Sequence, residues 1–155
     1  MKPFDSTDQA ILLALQRDAR QTMAELAEHV SLSQSPCWRR VRQLEEAGVI
    51  TGYHAGLSRK HLGYGVTGFI HLQMQNHTDE IAAAFEREVV ALPQVVACHN
   101  LSGNYDYLIE AVEVDLESFS ALVRNKIRCL PGVKEIATSF SLKEVKASGS
   151  LPVGA

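Results

Sequence analysis

Two short segments, Leu92-Pro93-Gln94-Val95 and Leu130-Pro131-Gly132-Val133, lie 38 residues apart and each ends a helical pattern at the start of a strand pattern. Proline has no N–H and clashes with a preceding helical turn, so each Leu-Pro step stops a helix. Around these joints the apolar spacing repeats in the same order. Val66, Gly68, Ile70, Leu72 and Met74 alternate with Thr67, Phe69, His71, Gln73 and Gln75, a half-buried strand. A helix is expected from about Thr78 to Leu92, with Ile81, Phe85, Val89 and Leu92 inward, then a strand from Val95 to Leu101. The turn Ser102-Gly103-Asn104 leads into a strand Tyr107–Glu113. Asp115 is placed to cap a long final helix carrying Leu116, Phe119, Val123, Ile127 and Leu130, and Val133–Lys146 closes the sheet. The sum is β-α-β-β-α-β, the ferredoxin-like arrangement. Both helices then cover one face of a four-stranded sheet, and the other face, apolar in places, is expected to pair with a second subunit.

The first sixty residues follow a different period. Ile11, Leu12 and Leu15 recur at helical spacing between Thr7 and Asp18, and Met23, Leu26, Ala27 and Val30 share a face of a second helix. Ser31-Leu32-Ser33 breaks it. Ser33 is expected to cap a third helix with its hydroxyl, Pro36 falls in the first turn, and Gly48 suits a left-handed closing position after Ala47. Val49–Tyr53 is read as a strand or wing. Two helices joined by a three-residue turn, the second bearing arginines, describe a helix-turn-helix. The domains expected are therefore 1–52 for DNA binding, 53–64 as linker, 65–147 as the ferredoxin-like domain and 148–155 as a tail. The fold class is α+β.

On the third helix Cys37, Val41 and Leu44 form a buried stripe. Ser35, Arg39 and Arg42 share another face, with Gln34 and Trp38 beside them, and Ser33 and Arg40 complete the candidate DNA-binding set. Arginine reads guanine with two bonds, Gln does the same for adenine, and Ser reaches phosphate. A solvated charged face on a structural helix is the alternative, and Trp38 either meets DNA or packs on the first helix. Net charge over the whole 155-residue chain is −3, yet residues 1–60 hold eight Lys/Arg against seven acids and the remainder is the acidic part. Affinity for phosphate follows the local patch, not the overall balance.

Other classes find little support. No Gly-x-Ser-x-Gly, phosphate loop or His-Glu-x-x-His occurs. Cys98 and His99 are adjacent, but neighbours on a strand point to opposite faces and cannot form a dyad. The three cysteines are scattered without a Cys-x-x-Cys pair, as in reduced cytoplasmic proteins. No catalytic residue, metal site or cofactor is expected. The stretch Gly63–Met74 is uncharged but too short to cross a bilayer. The opening Met1-Lys2-Pro3-Phe4-Asp5 lacks the apolar run of a signal peptide, so a cytoplasmic location is expected.

The order of motifs resembles the Lrp/AsnC (leucine-responsive/asparagine-type, feast/famine) regulators. The marks are Asp5-x-x-Asp8-x-x-Ile11-Leu12, Glu25-Leu26-Ala27, Ser33-x-Ser35-Pro36-Cys37, Arg40-Val41-Arg42-x-Leu44-Glu45 and Gly48-Val49-Ile50, then Gly103-Asn104-Tyr105-Asp106-Tyr107-Leu108 and Leu130-Pro131-Gly132-Val133. The resemblance implies a transcription regulator that binds a palindromic operator in double-stranded DNA through Ser33–Ala47. It implies a homodimer through the sheets, assembling further to a tetramer or octamer, and a small amino-acid effector held between dimers. The implied effector residues are Ser102, Gly103, Asn104, Tyr105 and Asp106, with Thr138, Ser139, Phe140 and Ser141 opposite. The chemistry of the turn is compatible. Gly103 allows close backbone approach to a carboxylate, and Asp106 offers a partner for an ammonium group. Asp106 bonding to nearby backbone, as Asp commonly does in turns, remains the other reading. The last strand reads Thr138-Ser139-Phe140-Ser141 where other members of that family carry aliphatic or tyrosyl side chains, and its small hydroxyls suit a compact or polar effector. An architectural DNA-binding protein without effector is the rival within the same class.

Overall fold

A computed structural model describes residues 4–147 and 149–153. The chain forms two compact units. One runs to Gly56 and takes in the C-terminal segment from Lys146, and the other is Leu57–Val145.

In the first unit three helices form, α1 (Ser6–Arg17), α2 (Met23–His29) and α3 (Gln34–Glu46). Asp5 caps α1, its carboxylate accepting from the Asp8 N–H at 2.8 Å. Thr22 and Glu25 form a reciprocal capping box on α2, a Thr-x-x-Glu signature present in the sequence but not read from it. Ser33 holds the cap position of α3, yet its side chain makes no cap bond, contrary to expectation. Beyond α3, Gly48 takes the expected left-handed conformation at φ 69°. Val49–Tyr53, read as a strand or wing, forms no strand. The Val49 and Ile50 N–H groups both return to the Leu44 carbonyl, at 2.9 and 3.2 Å, so they finish the helix and leave no ladder to start. Ile11, Leu26, Ala27, Cys37, Val41 and Leu44 make the core. The Gln16 side-chain amide clamps the C-terminal segment, bonding both the N–H and the carbonyl of Leu151.

The second unit contains β1 (Val66–Met74), α4 (Asp79–Val90), β2 (Val95–Asn100), β3 (Tyr107–Glu113), α5 (Leu116–Asn125), a 3-10 turn Ile127–Cys129 and β4 (Val133–Phe140). The sheet order is β2-β3-β1-β4 with antiparallel neighbours. This is the ferredoxin-like arrangement. Alternation in β1 buries Gly68, Ile70, Leu72 and Met74, as the period of two requires. These meet Phe85, Val89, Phe119 and Ile127 from the helical layer. The final helix is shorter than expected, because the chain leaves helical geometry at Lys126 before the 3-10 turn. Leu116 of the expected inward stripe is 60% exposed, while Leu122 is buried in its stead. Strand β4 ends at Phe140, six residues short of Lys146. Arg59–Gly63, read as linker, is a hydrogen-bonded turn, and Arg59 reaches Glu110 at 2.8 Å and Thr67 at 3.1 Å.

Three cap carboxylates share one electrostatic consequence. Backbone N–H donors hold Asp5, Glu25 and Asp115 below their ordinary values of 3.8 and 4.5, the Asp8 N–H first for Asp5, with Arg40 second. A carboxylate depressed by folding contributes stability above its unfolded pKa and loses it as pH falls through the folded one. Thermal unfolding between pH 7 and pH 3 is therefore expected to show constant cap contributions above the carboxylate range and a fall below it. Asp5→Asn should flatten part of that fall.

A candidate DNA-reading helix and a candidate effector turn

Helix α3 presents two faces. Cys37, Val41 and Leu44 are buried, as their four- and three-residue spacing dictates. Ser33, Gln34, Ser35, Trp38, Arg39 and Arg42 are exposed. Trp38 is half exposed and is not part of the core of its unit. Arg40 stands apart from the rest. Two residues along a helix turn the side chain to nearly the opposite side, so Arg40 leaves the Arg42 face. Its Nη1 bonds Asp5 and Asp8 at 2.7 Å each, tying α3 to the start of α1. Arg40 thus has ionic partners within its own unit and lies on a different side of α3 from Arg42. Arg39 has no ionic partner among the described residues. Arg42 donates from Nε to Glu46 at 2.9 Å, and its guanidinium carbon lies 5.4 Å from the Trp38 ring centroid. Glu45 accepts from the Tyr53 hydroxyl at 2.8 Å. Partial burial, and after it that carboxylate, push the Tyr53 pKa up to about 12, so the phenol stays protonated.

The second candidate site is the turn between β2 and β3. Gly103 has φ 125° with open space where a side chain would stand, a conformation that favours glycine. Asp106 is held from several directions. Its N–H donates to the Leu72 carbonyl at 2.8 Å and its carbonyl accepts from Leu101 at 2.8 Å. Its Oδ2 accepts the Met74 N–H at 2.7 Å, and its Oδ1 lies 3.7 Å from His77 Nδ1. Gln73 donates to the Asn104 carbonyl, and the Tyr105 and His71 rings are 5.0 Å apart. Asp106 is therefore a cross-strand staple whose second oxygen faces outward to His77. His77 and Gln73 were not singled out from sequence. Only the strand pairing brings them to this turn.

The two halves of the expected effector site are not opposite each other within one chain. Asp106 is fixed at the Leu72–Met74 end of β1. Thr138, Ser139 and Phe140 pair with Ile70, Phe69 and Gly68, and the Ser141 N–H bonds the Thr67 carbonyl. β3 and β4 also flank β1 from opposite sides, which separates them by two strand spacings, about 10 Å. Phe140 is committed in part to Phe119, edge-on at 5.2 Å. Thr138 and Ser139 are exposed.

Elsewhere, burial and then Glu86 raise the Cys98 thiol, and Cys98 pairs with Ile109 while His99 pairs with Leu108 on the other face. Among the described residues no three His, Cys, Asp or Glu side chains gather as metal ligands would. No described helix is long and apolar enough to cross a membrane.

Comparison with known proteins gives consistent matches to both units. A family model for the Lrp/AsnC ligand binding domain matches residues 67–151, and one for winged helix-turn-helix DNA-binding matches residues 4–51. The chain is 37% identical to the Bkd operon transcriptional regulator of Pseudomonas aeruginosa, over 99% of this chain and 100% of that protein. It is 34% identical to the leucine-responsive regulatory protein of Escherichia coli K12, over 98% of this chain and 93% of the relative. Among solved structures, a transcriptional regulator of Neisseria meningitidis in complex with L-Met superposes with a TM-score of 0.91 at 39% identity, covering 96% of each chain.

Proposed function

The chain belongs to the Lrp/AsnC family of DNA-binding transcriptional regulators, and from that premise we propose that an amino acid bound at its C-terminal domain modulates its hold on DNA. The observation that carries the DNA half is the exposed Gln34, Ser35, Trp38, Arg39 and Arg42 face of α3, opposite its buried stripe. Two such helices of a homodimer, about 34 Å apart, read successive major grooves of an imperfect palindrome. The half-buried sheet face bearing Phe69, His71, Leu108 and Ala137 pairs two subunits, and further assembly gives a tetramer or octamer. The protein acts in the cytoplasm, as a regulator rather than a catalyst.

For the effector, the relative in complex with L-Met supports an amino acid as ligand class. The Ser102–Asp106 turn supplies a carboxylate partner for the ammonium group. Thr138–Ser141 come from a different subunit, since one chain keeps them apart. Their small hydroxyls favour a compact or polar side chain. To regulate, the effector binds one assembly or helix spacing better than the other. The effector-independent architectural reading draws on one fact, that Asp106 already has a task in the fold.

Binding to duplexes enriched from a randomised library separates the arginines. Arg42→Ala is expected to weaken enriched-duplex binding by about tenfold or more. Arg39→Ala should weaken all sequences alike and lower the salt slope by about one. Arg40→Ala should leave the salt slope unchanged and lower the melting temperature instead. A salt slope that falls with Arg40→Ala and not with Arg39→Ala would reverse this assignment of faces.

A further inference from the structure

Trp38, Arg42 and Glu46 follow one another at four-residue steps and so form a single stripe on α3. Glu46 takes the Nε edge of the Arg42 guanidinium. The edge carrying the terminal amino groups has no acceptor among the described residues. Trp38 offers its ring to the guanidinium, and a cation over an indole face is held by the ring's quadrupole. One contact sets the rotation of the fork and the other limits its swing.

Such an arginine is poorly suited to gripping phosphate. Phosphate attraction depends on net charge, and Glu46 cancels part of it. Reading a guanine depends on geometry, because O6 and N7 must each meet an N–H of one planar fork. Arg39, three residues earlier and without an ionic partner among the described residues, is the better phosphate contact.

We propose that Glu46 and Trp38 are positioning residues that hold Arg42 ready to read a guanine in the major groove through its O6 and N7. This rests on the DNA-facing reading of α3 given above. An exposed ion pair of this kind contributes little to stability, so its removal leaves the fold intact and any change in recognition readable. Charge and geometry also predict opposite effects. Removing the Glu46 carboxylate lessens repulsion from DNA, so affinity for random duplex rises, while loss of the buttress lowers discrimination.

The test uses the full chain and the enriched duplex, with each guanine of a half-site replaced in turn by 7-deazaguanine, which lacks the N7 acceptor. The parent protein is expected to lose about tenfold at one guanine, and Arg42→Ala to lose that sensitivity. Glu46→Ala should cut the discrimination to about threefold or less, and Trp38→Leu likewise. Glu46→Gln keeps an acceptor for Nε without the charge. It should match Glu46→Ala in binding random duplex more tightly yet retain most of the guanine sensitivity. Full sensitivity in Glu46→Ala, or equal loss in Glu46→Ala and Glu46→Gln, overturns the positioning role. If Arg42→Ala itself binds the enriched duplex as the parent does, the DNA-facing reading fails first, and the proposal with it.

Discussion

Phe119→Ala is expected to destabilise the sheet unit by about 3–5 kcal/mol, the range for removing a buried aromatic ring and leaving a cavity. Phe119 is 1% exposed, and its ring fills the space above Gly68. A Cβ added at Gly68 would stand 2.2 Å from the Phe119 Cζ, so strand and helix fit only because this strand position lacks a side chain. The ring also meets Phe140 edge-on, which adds aromatic contact beyond area. Gly68→Ala alone should cost about 1–3 kcal/mol by overpacking. Combined with Phe119→Leu, part of that cost should disappear, because the two sites share one volume. Denaturant midpoints of the four proteins measure the coupling. Simple additivity would show that the contact is not what limits position 68.

Asp106→Ala should cost about 1–3 kcal/mol, since the largely buried Met74 N–H loses its acceptor. Its loss of amino-acid response would then be uninterpretable alone. Asp106→Asn resolves this, because its carbonyl oxygen can still accept from Met74 while the negative charge is gone. The expected pattern is near-parent stability for Asp106→Asn, lowered stability for Asp106→Ala, and no amino-acid response in either. A normal response in Asp106→Asn would mean that its charge holds no ligand.

Much of the fold was legible because local period and capping residues determine it. The alternation of Val66–Met74, the Leu-Pro joints and the Asp115 cap all reappear as elements. The buried stripe of α3 followed from spacing alone. What sequence left hidden depended on partners distant along the chain. Arg40 looks like Arg39 and Arg42 until Asp5 and Asp8 are brought beside it. Ser33 has the residue type of a cap without its bond, and the Val49 and Ile50 N–H groups are drawn back to Leu44. Strand register is a further part that spacing does not give. Whether the 102–106 turn faces the 138–141 segment depends on where each pairs along β1, which no spacing within either segment reveals.

The most direct test of an amino-acid-responsive regulator is the affinity of the full chain for its enriched duplex, measured with and without each protein amino acid. Asp106→Asn runs alongside. One or a few ligands should shift the parent's affinity saturably, by about fivefold or more for an ordinary coupling free energy. Asp106→Asn should bind the same duplex and ignore them. No shift with any amino acid, or an equal shift in both proteins, would contradict the account.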